Sequence, residues 1–334
     1  MNVPEALFLR KFLLENTMEK GVAAKHKGVF TAQVLSNQQI RECYFRLNLK
    51  LDPIGSRFFE HAVPGQFLEI DLSPLSLPLE SQISATLRDA AVRQVLLRRP
   101  FSFSDVIITP SQDGPCVKLE LLYCVLGPAT LRMMTLKSGD TLNVIGPLGN
   151  GFSIPSTLKR AILIAGGMGA PPLLHLGGFL KRRCPAVEPI CFAGARSCED
   201  LPFTLKIGNL TGLVLDEFEQ LGVASRVATD DGSAGFRGYV TDCARHWLEQ
   251  NTVRAEETVI FACGPEPMLA GAARLADDFG LPCQVSMERM MACGIGLCQS
   301  CAIETKKETS AETEYKLCCK DGPVFDSRNV IFQV

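Results

Sequence analysis

Apolar and polar residues alternate strictly in Phe45-Arg46-Leu47-Asn48-Leu49-Lys50-Leu51 and again in Leu68-Glu69-Ile70-Asp71-Leu72. A period of two puts successive side chains on opposite faces of a strand, so both segments are predicted as half-buried strands with the charged residues outward. The same period dominates residues 29–148, broken by turn pairs such as Pro64-Gly65 and Gly139-Asp140. Such strands joined by tight turns point to an antiparallel barrel or sandwich. Residues 73–95 interrupt the alternation with Ser, Pro and Leu, and an excursion or small helix is expected there.

After about residue 156 the pattern changes to strand, helix, strand, helix. Residues 161–165, 189–193, 225–228 and 258–263 are short apolar runs suited to strands covered on both faces. The clearest helix is predicted over 267–279, where Met268, Leu269, Ala272, Leu275, Ala276 and Phe279 share one face before Gly280 and Pro282 stop it. Alternating strands and helices imply a parallel, doubly wound sheet. Residues 161–180 lack charge and imitate a membrane span, but Gly166, Gly167, Gly169, Pro171, Pro172, Gly177 and Gly178 divide them into strand, turn and helix.

Composition is that of an ordinary globular chain: of 334 residues, 46% are hydrophobic and 21% charged, which excludes a fibrous or disordered protein. Lys plus Arg (34) nearly balance Asp plus Glu (36), so no field of one sign gathers nucleic acid or acidic lipid. Fourteen cysteines in a chain this long do not make a disulfide scaffold, and five of them crowd between Cys293 and Cys319. That crowding points to a metal site in a reducing cytoplasm. Residues 1–27 read as an extension with room for one short helix; their apolar run, cut by Arg10 and Lys11, is too short for a signal peptide. The expected organisation is multidomain: an extension (1–27), an antiparallel β-barrel (28–155), an α/β parallel-sheet domain (156–282) and a small C-terminal domain (283–334).

Cys293, Cys298 and Cys301 are spaced C-x4-C-x2-C, with seventeen residues between Cys301 and Cys319. This is the plant-type spacing of a two-iron, two-sulfur cluster, and Gly294 and Gly296 suit a tight loop whose N–H groups approach the sulfides. A zinc knuckle using Cys298 and Cys301 is the competing reading, although zinc sites more usually pair two close-spaced couples. Cys318 and Cys319 are adjacent, and spacing does not choose the fourth ligand.

Three further motifs have nucleotide chemistry. Arg99-Pro100-Phe101-Ser102 follows the apolar Val95-Leu96-Leu97 and combines a phosphate-clamping guanidinium, a ring and a hydroxyl, although an Arg-Pro before a turn is often merely structural. Gly166-Gly167-Met168-Gly169-Ala170-Pro171 ends a predicted strand and opens a helix, the context that binds a pyrophosphate; a simple turn is the alternative. Cys263-Gly264-Pro265 ends another strand, where ligands gather in open α/β sheets, though a lone cysteine is commonly a small core residue. His26, His61, His175 and His246 form no cluster and receive no catalytic role.

In this order the motifs resemble the ferredoxin reductase superfamily of flavin and nicotinamide electron-transfer proteins, and more narrowly the electron-transfer subunits of NAD-dependent dihydroorotate dehydrogenases. The resemblance runs from about residue 28 to the C-terminus and includes Gly146-Pro147-Leu148-Gly149-Asn150-Gly151-Phe152, Ala292-Cys293-Gly294-Ile295-Gly296 and Cys319-Lys320-Asp321-Gly322-Pro323-Val324-Phe325. It implies an FAD-binding barrel, an NAD-binding α/β domain and a C-terminal 2Fe-2S domain. Arg99, Pro100, Phe101 and Ser102 would hold FAD, completed by Leu122, Tyr123, Cys124, Ala129 and Thr130. NAD would lie over Gly166, Gly167, Met168 and Gly169, its reactive ring near Cys263 beside Gly264 and Pro265. Cys319, which precedes Lys-Asp-Gly-Pro-Val-Phe as the family's fourth ligand does, would join Cys293, Cys298 and Cys301.

The implied activity passes electrons from a dihydroorotate-oxidising partner through the cluster and FAD to NAD⁺ in pyrimidine biosynthesis, in a heterotetramer of two of each chain. Departures from the family pattern are Gly127-Pro128-Ala129-Thr130 where Gly-Lys-Gly-Thr is usual, Cys124 where a basic residue is common, and the 73–95 insertion. The competing functions are a reductase subunit of a ferredoxin:NAD(P) oxidoreductase or sulfite or sulfide reductase and, in another class, a zinc-stabilised interaction protein. Asp230 and Asp231 would repel the 2′-phosphate of NADP while Arg196 would attract it, and all three could be solvated loop charges.

Overall fold

The computed structural model describes residues 27–112, 114–208, 212–307 and 312–333. The extension expected over residues 1–27, apart from Lys27, lies outside the described residues. The first unit is a seven-stranded sheet: β1 (Gly28–Gln39), β2 (Tyr44–Leu51), β3 (Phe67–Ile70), β4 (Arg99–Ser102), β5 (Asp105–Ser111), β6 (Gly114–Cys124) and β7 (Thr141–Leu148), ordered β4-β3-β7-β1-β2-β6-β5 with every pairing antiparallel.

The sheet curls round a core to which alternate residues contribute, among them Leu47, Leu49, Leu51, Leu68, Ile70, Leu121 and Tyr123. Consecutive strands β4 and β5 form its two edges, with no ladder between them among the described residues, so the expected barrel is open along one seam. Helix α1 (Pro53–Phe59) starts where Asp52 accepts the Gly55 N–H at 2.6 Å, with Pro53 already holding a helical φ. It carries Phe59 edge-on against Phe103 in the core. The 73–95 excursion holds 3₁₀ turns at Glu80–Gln82 and Ala85–Leu87 and the short α2 (Arg88–Ala91).

The second sheet comprises β8 (Arg160–Gly166), β9 (Glu188–Ala195), β12 (Ala224–Thr229), β13 (Phe236–Arg237), β14 (Thr258–Cys263), β15 (Cys283–Ser286) and β18 (Val324–Asp326), with β10 (Leu205–Gly208) and β11 (Gly212–Leu215) forming a separate hairpin. Its order is β13-β12-β9-β8-β14-β15-β18, parallel throughout except for β18 against β15. From β8 the chain winds outward through β9 and β12, then returns to β14 on the other side of β8. The order reverses between β8 and β14, and the crevice beyond their carboxyl ends is where such sheets receive ligands. Covering helices include α4 (Ala170–Arg183), α6 (Val240–Gln250) and α7 (Glu266–Phe279), with α3 (Pro128–Met133) and α5 (Asp216–Gln220) shorter. Gly280 caps α7 at φ 64°.

The sheet continues past residue 282, because β15 pairs with β14 and β18 adds an edge from near the C-terminus. Between them lie the cysteine loop and the hairpin of β16 (Ala302–Lys306) and β17 (Thr313–Leu317). Asn150 ties this unit to the barrel: its side chain donates to the Asp321 carbonyl at 2.8 Å and accepts the Val324 N–H at 3.1 Å. On the opposite side, Arg41 donates to the carbonyls of Cys198 and Leu201, and the Tyr44 hydroxyl to that of Asp200.

Candidate functional site

A cleft of about 790 Å³ opens between the units, lined by Arg99, Pro100 and Phe101 of β4, by residues 127–130 at the start of α3, by Gly264 and Pro265 after β14, and by residues 287–292 with Ser300. Its volume falls in the roughly 300–1,000 Å³ range of cofactor and ligand sites. The Arg99 guanidinium donates to the carbonyls of Leu97 and Arg98 at 2.8 and 3.0 Å, leaving its charge without an ion pair among the described residues. The Thr130 hydroxyl accepts the N–H groups of Leu126 and Gly127 at 3.0 and 3.2 Å, fixing the turn into α3. An unpaired guanidinium, an aromatic ring and a helix start within one cleft suit a phosphate-bearing flavin.

The remaining residues expected at the flavin stand behind this wall. Ser102 is half-buried on β4 opposite Phe67. Tyr123 lies in the barrel core, stacked on Phe45 and bonded through its hydroxyl to Asn37 at 3.1 Å. Leu122, on the opposite face of β6, packs into the core shared with the second sheet. Cys124 is buried with its sulfur 3.3 Å from that of Cys43.

At the reversal point of the second sheet, two glycine motifs are in intimate contact. A β-carbon on Gly169 would lie 2.2 Å from the Cys263 carbonyl oxygen, and one on Gly166 would lie 2.5 Å from the Met268 sulfur. Gly264, at φ 157°, approaches the Gly166 backbone. Gly167 and Met168 are half-exposed above this contact, at the N-terminal end of α4. Backbone with no side chain in the way, at a helix start and a strand-order reversal, suits a dinucleotide phosphate. Cys263 is buried, its thiol pushed up to about 12 by burial, so it serves there as a small neutral residue. Asp230 and Asp231, exposed, follow β12, while Arg196 lies 3.6 Å from Asp200.

The cysteine loop runs from Cys293 to Cys301 with Gly294 at φ 64° and Gly296 at φ 88°, conformations in which a side chain would strain the backbone. The Cys298 N–H points at the Cys293 sulfur at 3.4 Å, and the sulfurs of Cys301 and Cys319 are 3.3 Å apart. The donor set, four thiols beside a glycine-opened loop, has the chemistry of a 2Fe-2S site, although among the described residues no three of these thiols are gathered closely enough to hold a metal ion. Hydrogen bonding with Ser300, 3.2 Å away, draws the exposed Cys298 thiol down to about 6. Cys319 lies against Cys301 and the Gly296 N–H, while the fully buried Cys318 also has Cys301 among its neighbours, together with Arg289 and Glu266.

Two parts of the site carry no readable sequence signal. Residues 287–292 form one wall of the cleft, braced by the Arg289–Glu266 ion pair at 2.8 Å, yet no motif marks them before Ala292. Glu69, which strand alternation places on a solvent face, is fully buried because the C-terminal unit covers that side of the barrel.

Residues 288–331 match the family described as the iron-sulfur cluster binding domain of dihydroorotate dehydrogenase B. The dihydroorotate dehydrogenase B (NAD(+)), electron transfer subunit of Caldanaerobacter subterraneus subsp. tengcongensis is 32% identical over 301 residues, which cover 90% of this chain and 98% of that protein. The subunit of the same name from Bacillus caldolyticus is 33% identical over 301 residues, covering 89% and 96%. Among solved structures, one described as the NADH-dependent reduced ferredoxin-NADP oxidoreductase, in a study of flavin-based electron bifurcation, superposes with a TM-score of 0.65 at 26% identity over 90% of each chain. With one-third identity sustained over nearly the full length of these relatives, the chain belongs to the family of dihydroorotate dehydrogenase B electron-transfer subunits.

Proposed function

We propose that this chain carries electrons from a dihydroorotate-oxidising partner subunit to NAD⁺, using a 2Fe-2S cluster and FAD. The observation that carries the reading is the single cleft to which the barrel, the end of β14 and the segment leading into the cysteine loop all contribute. When bound, FAD exchanges single electrons with an iron-sulfur cluster and a hydride with NAD⁺.

The chain's own work is placement. Arg99 and the turn at Ala129 and Thr130 hold the FAD phosphates, and Pro100 and Phe101 shape the ring site. Ser102, Leu122, Tyr123 and Cys124 brace those strands from behind. Gly166, Gly167, Met168 and Gly169 seat NAD, and Cys263, Gly264 and Pro265 border its reactive ring. The exposed carboxylates of Asp230 and Asp231 at the end of β12, with Arg196 beside Asp200, favour NAD over NADP. Cys293, Cys298, Cys301 and Cys319 ligate the cluster. The working assembly is a cytoplasmic heterotetramer of two of each chain.

The test is to isolate the tagged chain anaerobically from its own cells with whatever binds it and to add dihydroorotate. Bleaching of the flavin and cluster bands, reversed by NAD⁺, is expected. Bands that respond to NADH or NADPH but not to dihydroorotate would keep the reductase chemistry and replace the partner with another electron carrier. A colourless protein would sink the proposal.

A further inference from the structure

Glu69 lies on β3 between Pro100 of β4, which lines the cleft, and Ile145 of β7. Its side chain is fully buried, and neither carboxyl oxygen has a hydrogen-bond partner among the described residues. Facing it is Gly294 of the cysteine loop: a β-carbon there would lie 2.5 Å from Oε1 and 2.8 Å from Cγ and Cδ. The loop's first glycine is thus moulded round this carboxyl group. Phe67 and Leu148, also at this junction, are apolar and bury without penalty. An unpaired buried carboxyl contributes nothing to stability, so its presence in this wall calls for another role.

We propose that Glu69 is a positioning residue for electron transfer: lying against Gly294 of the 293–298 loop, it sets the electrostatic field at the cluster and holds the cluster's reduction potential down. The inference rests on the proposed cluster ligation by Cys293, Cys298, Cys301 and Cys319. A negative charge in a weakly polar wall disfavours the added electron of the reduced cluster, and burial removes the water that would screen it. Arg98 and Arg99 on one side and Cys298 on the other are the charged or titratable groups that act on Glu69. Burial raises its carboxyl to about 7 in spite of the two arginines.

The experiment uses the complex purified anaerobically from its own cells, with the chain unaltered or carrying Glu69→Gln, Glu69→Met or Glu69→Asp. Iron and sulfide contents are measured first. The cluster is then titrated electrochemically at several pH values from 6 to 10, so that the ionised carboxyl is sampled, and its reduced form is recorded by electron paramagnetic resonance. The Gln and Met variants should keep their iron, show a higher cluster potential and shift the resonance, while Asp, which retains the charge, should stay near the unaltered protein. Unaltered potentials in Gln and Met variants with full iron content would overturn the inference. So would loss of iron from all three variants, which would make Glu69 a structural prop. If one variant alone loses its iron, the other two decide by the same criterion. Absence of iron from the unaltered complex would instead overturn the cluster ligation itself.

Discussion

The sulfur of Cys319 lies 3.3 Å from that of Cys301, whereas Cys318, one residue earlier, is wholly buried and meets Cys301 through its backbone, its N–H donating to the Cys301 carbonyl at 3.0 Å. That sulfur–sulfur contact is what supports Cys319 as the proposed fourth ligand. Cys319→Ser should therefore lose most of its iron, and Cys318→Ser should retain it. Iron and acid-labile sulfide assays on the two proteins check this, and the reverse pattern would move the fourth ligand to Cys318.

Arg99 has no ion-pair partner among the described residues and lines the cleft, while Tyr123 is spent on the barrel core. Arg99→Ala should weaken FAD retention about tenfold or more, since a charge-assisted hydrogen bond contributes roughly 1.5–3 kcal/mol. Tyr123→Phe removes the bond to Asn37 and should lower stability by about 1 kcal/mol with flavin content unchanged. Flavin released on denaturation, set beside the melting temperature, separates the two effects.

Gly169 and Gly280 are required for opposite reasons. Gly169 has an ordinary φ of −73° but no room, its β-carbon position lying 2.2 Å from the Cys263 carbonyl oxygen. Gly280 has open space around it but a φ of 64°. Gly169→Ala should cost about 1–3 kcal/mol by overpacking and abolish NADH binding by parting β8 from β14. Gly280→Ala should cost about 1 kcal/mol and leave NADH binding intact. Denaturant melts and NADH titrations distinguish them.

His175 is buried in α4 with Nδ1 unpartnered among the described residues, and burial lowers its pKa from 6.5 to about 4. The folded chain keeps the ring neutral down to about pH 4, while the unfolded chain takes up a proton below 6.5. Stability from this site is complete above pH 6.5 and is lost as the pH falls towards 4, by roughly 3 kcal/mol at about 1.4 kcal/mol per pKa unit. His175→Leu should flatten that part of the stability curve. Thermal melts of both proteins across pH 4–7 test it, and equal acid slopes would contradict the assignment.

Local regularities survive in the fold almost unchanged. The helix expected over 267–279 is Glu266–Phe279, and the runs expected as buried strands at 161–165 and 258–263 become Arg160–Gly166 and Thr258–Cys263. Both depend on side-chain periodicity and stop residues, which act within one element. Glu69 fails the same logic: alternation describes the two faces of an isolated strand and says nothing about a later segment, near residue 294, that packs on the polar face. The 287–291 part of the cleft wall has no signal because its role comes from position and not from residue type.

By itself the amino-acid sequence determined the elements, their order and the chemical inventory, because period, turn residues and cysteine spacing are local properties of a chain. Tertiary structure decided which of those parts meet. Asn150 reaches Asp321 and Val324 across more than 170 positions, Gly169 closes on Cys263, and the cysteine loop lies on Glu69. Each contact depends on two segments whose separate patterns contain no record of the other, so burial and charge emerge only when the units pack.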